Sequence, residues 1–268
     1  MRTKPLLKKY TVTLMWNVID VLLPPRCIGT GEIVSAQGMV SQDLWSDLDF
    51  IAAPYCRICG QPFELADELS DDAECASCIA DPPKFDTARS ALTYNDASRK
   101  LLLGFKYGDQ QHAAVTFATW IKNTAPDIFA SADFIVPVPL HWRRHWQRRF
   151  NQSALIGSAL AKLTNLTVRH ALTRRRFTST QKGLSRKDRL KNVRMAFVVN
   201  PALIEKIKNK HIVLIDDVMT SGATVNECAK VLKRAGAKKV SVFTVARVLR
   251  NTEYYPDTDD FDPIDEGY

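Results

Sequence analysis

A short apolar run that leads into two acids and a loop of small residues constrains this chain more than any other feature. Residues 212–215 (Ile-Val-Leu-Ile) are typical of a central strand in a parallel sheet, where ligands bind beyond the carboxyl ends of the strands. Asp216 and Asp217 follow at that end, and residues 220–224 (Thr-Ser-Gly-Ala-Thr) lead into the apolar pattern of a helix. The sequence therefore predicts a ligand site at a strand-to-helix turn.

The residue types at this turn suit a sugar phosphate. Backbone N–H groups at the start of a helix bind phosphate, and Gly222 lets the backbone approach the ligand without a Cβ. Asp216 and Asp217 supply acceptors for the 2′ and 3′ hydroxyls of a ribose. The alternative is a capped helix after a strand, with the acids in a solvated turn. The residues expected in the site are Asp216, Asp217, Thr220, Ser221, Gly222, Ala223 and Thr224.

Residues 213–224 resemble the phosphoribosyltransferase signature. They depart from it at Ser221, where threonine is commoner, and at Ala223, and neither change removes a backbone donor. An apolar strand, paired acids and Thr-x-Gly-x-Thr in one unbroken run are far more specific than a lone Thr-Ser-Gly. The resemblance implies that this loop binds the ribose 5-phosphate half of phosphoribosyl pyrophosphate.

Alternating strand and helix patterns begin at residue 85 and predict an α/β fold. Short apolar runs that alternate with helices are typical of a parallel sheet covered on both faces. No internal repeat is evident in the sequence. The expected strands are 88–94, 134–138, 211–215 and 240–246, and the expected helices are 97–105, 113–123, 151–163 and 225–235.

Segments outside the loop resemble the ComF family over nearly the whole chain. One is residues 136–139 (Val-Pro-Val-Pro) with the arginines that follow, up to Phe-Asn-Gln at 150–152, where Arg149 stands in place of the family's usual glycine. Another is residues 105–107 (Phe-Lys-Tyr), and a third is a mobile-loop pattern within residues 175–197. The resemblance implies a type I phosphoribosyltransferase fold, and relatives linked to DNA uptake during competence.

The same resemblance assigns residues to the pyrophosphate side of the site. In the reaction that the resemblance implies, four arginines neutralise the leaving pyrophosphate: Arg143, Arg148, Arg186 and Arg189. The loop from Arg174 to Asn192 closes over the site and carries Arg186 and Arg189. With Asp216 and Asp217 they form the expected catalytic set. A magnesium ion, held mainly by ligand oxygens and water, accompanies the pyrophosphate. The other ligand-binding residues expected there are Val138, Pro139, Arg143 and Arg148.

Two Cys-x-x-Cys pairs predict a structural zinc site. Their spacing is that of a four-thiolate centre, in which each pair grips the ion from one tight turn. The alternatives are disulfides or free buried thiols. Cys27 begins what resembles half of a further pair that the ComF family often carries, but Thr30 stands at its second position, so we expect no second site. The expected zinc ligands are Cys56, Cys59, Cys75 and Cys78.

The net charge of +8 hides a division of the chain into basic and acidic parts. Lys and Arg are spread through residues 141–194, where Asp188 is the single acid, whereas residues 251–268 carry acids and neither Lys nor Arg. The bland alternative for the basic stretch is a solvated face. A field of one sign attracts polyanions, either a pyrophosphate or a nucleic acid. Single-stranded or duplex DNA is therefore a second expected partner.

The cysteine motif and the family resemblance together imply an N-terminal helix and zinc knuckle in residues 1–84 and a phosphoribosyltransferase-like domain in 85–250. The acidic composition of residues 251–268 predicts a disordered tail. Asn17 and Asp20 interrupt the first apolar stretch, which favours an amphipathic helix over a signal peptide. Because no apolar run reaches about 18 residues, we expect no membrane span. Paired cysteines without an export signal favour the cytoplasm.

These patterns support two hypotheses about function. In the first, the protein is an enzyme that transfers ribose 5-phosphate from phosphoribosyl pyrophosphate to an unknown acceptor, with loss of pyrophosphate. In the second, it is a non-catalytic protein that binds nucleic acid and uses the sugar-phosphate pocket as a sensor. The motifs are common to both, and the length of the basic stretch favours the second.

Overall fold

The computed structural model describes residues 24–63, 72–107, 111–140, 150–175 and 195–249. Within these ranges, a five-stranded parallel sheet has the order β1-β7-β6-β2-β3, and β4 and β5 form a separate antiparallel pair. The strands are β1 Thr87–Thr93, β2 Phe134–Pro137, β3 Thr167–Val168, β4 Leu172–Arg174, β5 Phe197–Val199, β6 His211–Met219 and β7 Lys239–Arg247. The predicted parallel sheet is therefore confirmed.

Helices cover both faces of the sheet, because the side chains of a central strand alternate between two apolar clusters. On β6, Val213 and Ile215 belong to the cluster packed with α3 to α6, whereas Ile212 and Leu214 belong to the cluster packed with α8. The helices are α1 Gln42–Ser46, α2 Ala76–Ala80, α3 Asp96–Tyr107, α4 Ala113–Thr124, α5 Pro126–Ser131, α6 Gln152–Thr164, α7 Ile204–Ile207 and α8 Ala223–Arg234, with a 3-10 turn at Pro201–Leu203.

The end of the central strand was predicted wrongly. We expected the central strand to end at Ile215, but β6 continues to Met219. The physical reason is that its neighbour β7 is equally long, so the parallel ladder continues and pairs Met219 with Arg247. The two acids of the predicted site therefore lie within the strand, near its C-terminal end, and not in the loop after it.

A segment before the domain covers the exposed side of edge strand β1. Phe50 forms an antiparallel bridge with Leu92, and the Ile51 N–H donates to the Ala91 carbonyl oxygen at 3.0 Å. An edge strand left open offers unpaired N–H and C=O groups to other chains. The N-terminal region therefore supplies hydrogen-bond partners to the outer edge of β1.

The turn that holds Cys56 and Cys59 rests directly on the start of β1. The Ala88 N–H donates to the Ile58 carbonyl oxygen at 2.6 Å, and Gly60 packs so closely that a Cβ there would lie 2.5 Å from the Ala88 carbonyl oxygen. Gly60 also has a φ of 70°, which L side chains rarely adopt. Both features require glycine at this position.

This close approach predicts that Gly60→Ala destabilises the protein more than Gly31→Ala. Gly31 has a similar φ of 76°, but a Cβ there would meet nothing within 4 Å. Gly31→Ala should therefore lose about 1 kcal/mol from backbone strain alone, and Gly60→Ala about 1–3 kcal/mol more from the clash with β1. Chemical denaturation of both variants measures the difference, and equal losses would show that the turn does not pack on β1.

Candidate functional site

The predicted phosphate loop connects the end of β6 to the start of α8. Gly222 is the N-cap of α8 with a φ of 75°, and a Cβ there would approach nothing closer than the Met219 Sδ at 3.9 Å. The glycine is thus required by its backbone angle, while the space beside it is open. Within the described part of the chain, the Ala223 N–H reaches only the Ser221 hydroxyl, at 3.4 Å. The helix start is therefore available to an anion.

Two acids stand beside this loop, each held by a different helix. The Ser153 hydroxyl of α6 donates to Asp216 Oδ1 at 3.0 Å. Lys106 Nζ of α3 lies 2.9 Å from Asp217 Oδ2, and both side chains are largely buried, at 7% and 17% exposed. The two helices therefore fix the carboxylates at the carboxyl edge of the sheet.

Burial and the neighbouring charge of Asp217 raise the pKa of Asp216 from 3.8 to about 7. Hydrogen bonds from Ser153 and the Asp217 N–H oppose this rise, and so does the positive charge of Lys106. The acid pair therefore changes its charge near neutral pH, as functional carboxylates often do.

The end of β2 lies next to the acid pair. The Val138 N–H donates to the Ile215 carbonyl oxygen at 2.9 Å, and the Asn151 side-chain amide donates to the Val138 carbonyl oxygen at 3.1 Å. Asn151 also caps α6 by accepting from the Ala154 N–H. Val138 and the adjoining Pro139 thus border the edge where the acids and the phosphate loop lie.

The four predicted zinc ligands come together. Their sulfur atoms all lie within 4.8 Å of one another, and the Cys59 and Cys75 sulfurs are 3.6 Å apart. Tetrahedral bonds of about 2.3 Å to zinc separate sulfurs by about 3.8 Å. A hydrogen bond from the Cys59 thiol lowers the pKa of Cys56 to about 4, helped by backbone N–H groups of residues 58, 59 and 75. The residues present therefore fit a structural zinc ion.

The zinc knuckle and the phosphate loop border one pocket. Its walls include Cys59 and Cys78 on one side and residues 220–223 on the other. Arg247 also borders this pocket and is 1% exposed. Its guanidinium donates to the Cys59 carbonyl oxygen and to the Gln61 side-chain oxygen, the latter at 2.9 Å. It ends the strand that is paired with β6, so the knuckle is anchored next to the loop.

Comparison with known proteins identifies both parts of the chain. Residues 18–79 match the double zinc ribbon domain, and residues 154–265 match the phosphoribosyl transferase domain. DNA utilization protein YhgH of Escherichia coli (strain K12) is 31% identical over 203 residues, which cover 72% of this chain and 84% of that protein. The chain belongs to the ComF family.

Two other relatives of this ComF-family chain carry competence names. Competence protein F of Haemophilus influenzae is 29% identical over 200 residues, 72% of this chain and 85% of that protein. Competence protein ComFC of Bacillus subtilis (strain 168) is 27% identical over 208 residues, 75% of this chain and 81% of that protein. The domain matches and the strand order confirm a type I phosphoribosyltransferase fold with an N-terminal four-cysteine zinc-binding subdomain.

The structure brings some predicted site residues of the ComF chain together and does not describe others. The acid pair, residues 220–224 and residues 138–139 meet at one edge of the sheet. Arg143, Arg148, Arg186 and Arg189 lie outside the described residues, as do the predicted N-terminal helix and the acidic tail. Within the described ranges, no helix is long and apolar enough to cross a membrane.

Sequence reasoning missed two residues of the site. Lys106 lies in the Phe-Lys-Tyr segment that resembles the ComF family, but nothing in its spacing reveals an ion pair with a residue more than a hundred positions away. Ser153 follows Phe-Asn-Gln, and the sequence gives no sign that its hydroxyl meets Asp216. Both contacts depend on how α3 and α6 pack against the end of β6.

The raised pKa of Asp216 predicts a pH-dependent stability that Asp216→Asn removes. Because the folded state retains this proton between about pH 4 and 7, the free energy of unfolding should fall as pH rises through that interval. Asparagine keeps an oxygen that accepts from Ser153 but carries no charge. At pH 8 the variant should be up to about 4 kcal/mol more stable than the wild type, and at pH 4 equally stable. Denaturation at both pH values tests this, and parallel pH profiles would contradict it.

Proposed function

We propose that this ComF-family chain binds phosphoribosyl pyrophosphate with magnesium and transfers the ribose 5-phosphate group to an acceptor nucleophile. The observation that carries the proposal is the open start of α8 at Gly222, beside two acids on the strand that leads into it. In the reaction, the bond from ribose C1 to a pyrophosphate oxygen breaks, and pyrophosphate leaves with the electron pair. A bond from C1 to the acceptor forms in its place.

The phosphate loop takes the 5-phosphate in this proposal. N–H groups in the first turn of α8 have no partner within their own helix, and the positive end of the helix dipole favours an anion. The open space beside Gly222 gives a phosphate access to these donors. The hydroxyls of Thr220 and Ser221 in the loop and of Thr224 in the first turn of α8 supply further donors.

The acid pair binds the ribose and favours positive charge on it. Cleavage at C1 passes through an oxocarbenium-like transition state, as in glycoside cleavage, which nearby carboxylates stabilise. Lys106 acts as a positioning residue in this scheme, because its ion pair fixes the Asp217 carboxylate. Magnesium supplies charge neutralisation to the pyrophosphate and is held mainly by ligand oxygens and water.

The pyrophosphate lies, in this proposal, beyond Val138 and Pro139. Their position next to the end of β6 supports this assignment. The resemblance to ComF proteins supports a role for four arginines in neutralising the leaving group: Arg143, Arg148, Arg186 and Arg189. We place the reaction in the cytoplasm, because paired zinc-binding thiols need a reducing compartment.

The open space at Gly222 predicts that a single methyl group there blocks the ligand without unfolding the protein. Phosphoribosyl pyrophosphate with magnesium should stabilise the wild type by about 3 kcal/mol at a hundredfold excess over Kd. Gly222→Ala should lower the melting temperature modestly through its φ of 75° and abolish the response to ligand. Gly31→Ala is the matched control, since it has a similar φ and lies away from the loop.

Thermal denaturation with and without ligand measures both variants. A folded Gly222→Ala protein that responds like the wild type would show that the loop is not the phosphate site. Ribose 5-phosphate alone should give a smaller shift at the same concentration, because it lacks the pyrophosphate contacts.

DNA binding is a second candidate function, favoured by the basic stretch and by the name DNA utilization protein given to one relative. Part of that stretch has a packing role: the Arg169 and Arg174 guanidinium groups each lie 5.4 Å from a phenylalanine ring centroid. Lys162 and Arg175 are exposed and free to meet a phosphate backbone. In this alternative the ligand pocket acts as a sensor, and no pyrophosphate is released with any acceptor.

The DNA hypothesis predicts a steep salt dependence. Each phosphate that the protein neutralises on duplex DNA adds about 0.9 to the log–log slope of affinity against salt. Arg175→Glu should weaken binding of single-stranded or duplex DNA and flatten that slope. Lys206→Glu, an exposed residue on α7 outside the basic stretch, should leave both unchanged. Fluorescence anisotropy over a salt series measures this. Absence of binding at low salt would rule out the DNA hypothesis and leave the enzyme as the single proposal.

A further inference from the structure

Two turns in the N-terminal region have the same backbone hydrogen bonds, 29 residues apart. The Cys27 N–H donates to the Glu32 carbonyl oxygen at 2.7 Å, and the Cys56 N–H donates to the Gln61 carbonyl oxygen at 2.8 Å. The glycine four residues after each cysteine donates to that cysteine's carbonyl oxygen, at 3.0 and 2.8 Å. These glycines have φ values of 76° and 70°. The turn that begins at Cys27 therefore has the same backbone structure as the turn that holds the predicted zinc ligands Cys56 and Cys59.

The match continues into the helix that follows each turn. Ser41 is the N-cap of α1 and Cys75 is the N-cap of α2, and both helices are five residues long. The Ser41 N–H lies 3.2 Å from the Cys27 sulfur, and the Cys75 N–H lies 3.3 Å from the Cys56 sulfur. These positions are 34 residues apart, whereas the turns are 29 apart. The turn and helix at Cys56, the second copy, therefore have a connecting loop five residues longer than those at Cys27, the first copy.

Corresponding side chains also meet. The Thr30 and Ser41 hydroxyl oxygens are 3.4 Å apart, where the second copy has the Cys59 and Cys75 sulfurs at 3.6 Å. Backbone N–H groups two and three residues after the cysteine lie 3.5 Å from the Cys27 sulfur, and the equivalent groups surround Cys56. The correspondence therefore reaches the atoms that would bind a metal.

We infer that residues 25–46, the first copy, are a zinc ribbon that has lost its metal site. The four ligand positions of the second copy, all cysteine, correspond in the first to Cys27, Thr30, Ser41 and Leu44. Structural zinc sites use four Cys or His ligands, and neutral hydroxyls are poor replacements for thiolates. Leu44 offers no ligand atom. The backbone of both copies therefore has the fold of a zinc ribbon, but only the second copy, with its four cysteines, holds zinc.

Apolar packing takes the place of the metal in the first copy. Leu44 is 3% exposed and belongs to the same core cluster as Cys27 and Leu101. It packs so tightly on the turn that a Cβ at Gly29 would lie 2.3 Å from Leu44 Cδ2 and 3.0 Å from a Leu101 methyl carbon. The second copy packs on the opposite face of the sheet, in the cluster that contains Cys56. One ribbon is thus held by the domain core and the other by zinc.

The inference predicts how zinc content responds to mutation. Wild-type protein prepared under reducing conditions should contain about one zinc per chain. Cys56→Ser should reduce this to nearly none, whereas Cys27→Ser should leave it unchanged. Elemental analysis of purified full-length protein gives the ratio. About two zinc ions in the wild type, about one retained by Cys56→Ser, or a loss in Cys27→Ser would each overturn the inference.

A gain of metal tests the correspondence itself. The triple variant Thr30→Cys, Ser41→Cys, Leu44→Cys should bind about two zinc ions per chain, because the backbone already places these positions as in the second copy. Adding Cys27→Ser to it should return the content to about one. A folded triple variant that keeps one zinc would show that the positions do not correspond. If the triple variant does not fold, the single variants above still decide whether the first copy binds metal.

Discussion

The parallel ladder between β6 and β7 is the constraint on which the candidate site depends. It continues past the apolar part of β6 and pairs Asp216 with Thr244 and Met219 with Arg247. Strand geometry is thereby imposed on the acid pair up to the residue before the phosphate loop. Ser153 and Lys106 then approach the two carboxylates from different helices. The ladder thus brings acids, loop and surrounding helices to one edge of the sheet.

The same ladder connects the zinc knuckle to the site. Arg247, at the end of β7, directs its buried guanidinium to the Cys59 carbonyl oxygen and the Gln61 side chain. The next residue, Val248, donates its N–H to the Met219 carbonyl oxygen at 3.0 Å, at the start of the phosphate loop. A buried arginine needs such acceptors. The zinc knuckle therefore stabilises the region around the phosphate loop, because it supplies hydrogen-bond acceptors to Arg247.

Local patterns made much of this predictable. Apolar strand runs, the Thr-x-Gly-x-Thr loop and the cysteine spacing are short-range signals, and the sheet, the positive φ of Gly222 and the thiol cluster agree with them. The rest depends on contacts between distant segments. The extension of β6 requires a long partner strand, and the pairing of Lys106 with Asp217 requires the packing of α3. In the sequence only Cys27 marks the first ribbon, because its other three ligand positions are not cysteine, whereas the backbone hydrogen bonds of the two turns correspond.

In the proposed function, the start of α8 binds the 5-phosphate and the acid pair binds the ribose hydroxyls. A crystal structure of the full chain with phosphoribosyl pyrophosphate and magnesium tests it most directly. We expect the 5-phosphate within hydrogen-bond distance of backbone N–H groups of residues 221–224, and the ribose hydroxyls against Asp216 and Asp217. A phosphate bound elsewhere, or a ribose that touches neither carboxylate, would contradict it.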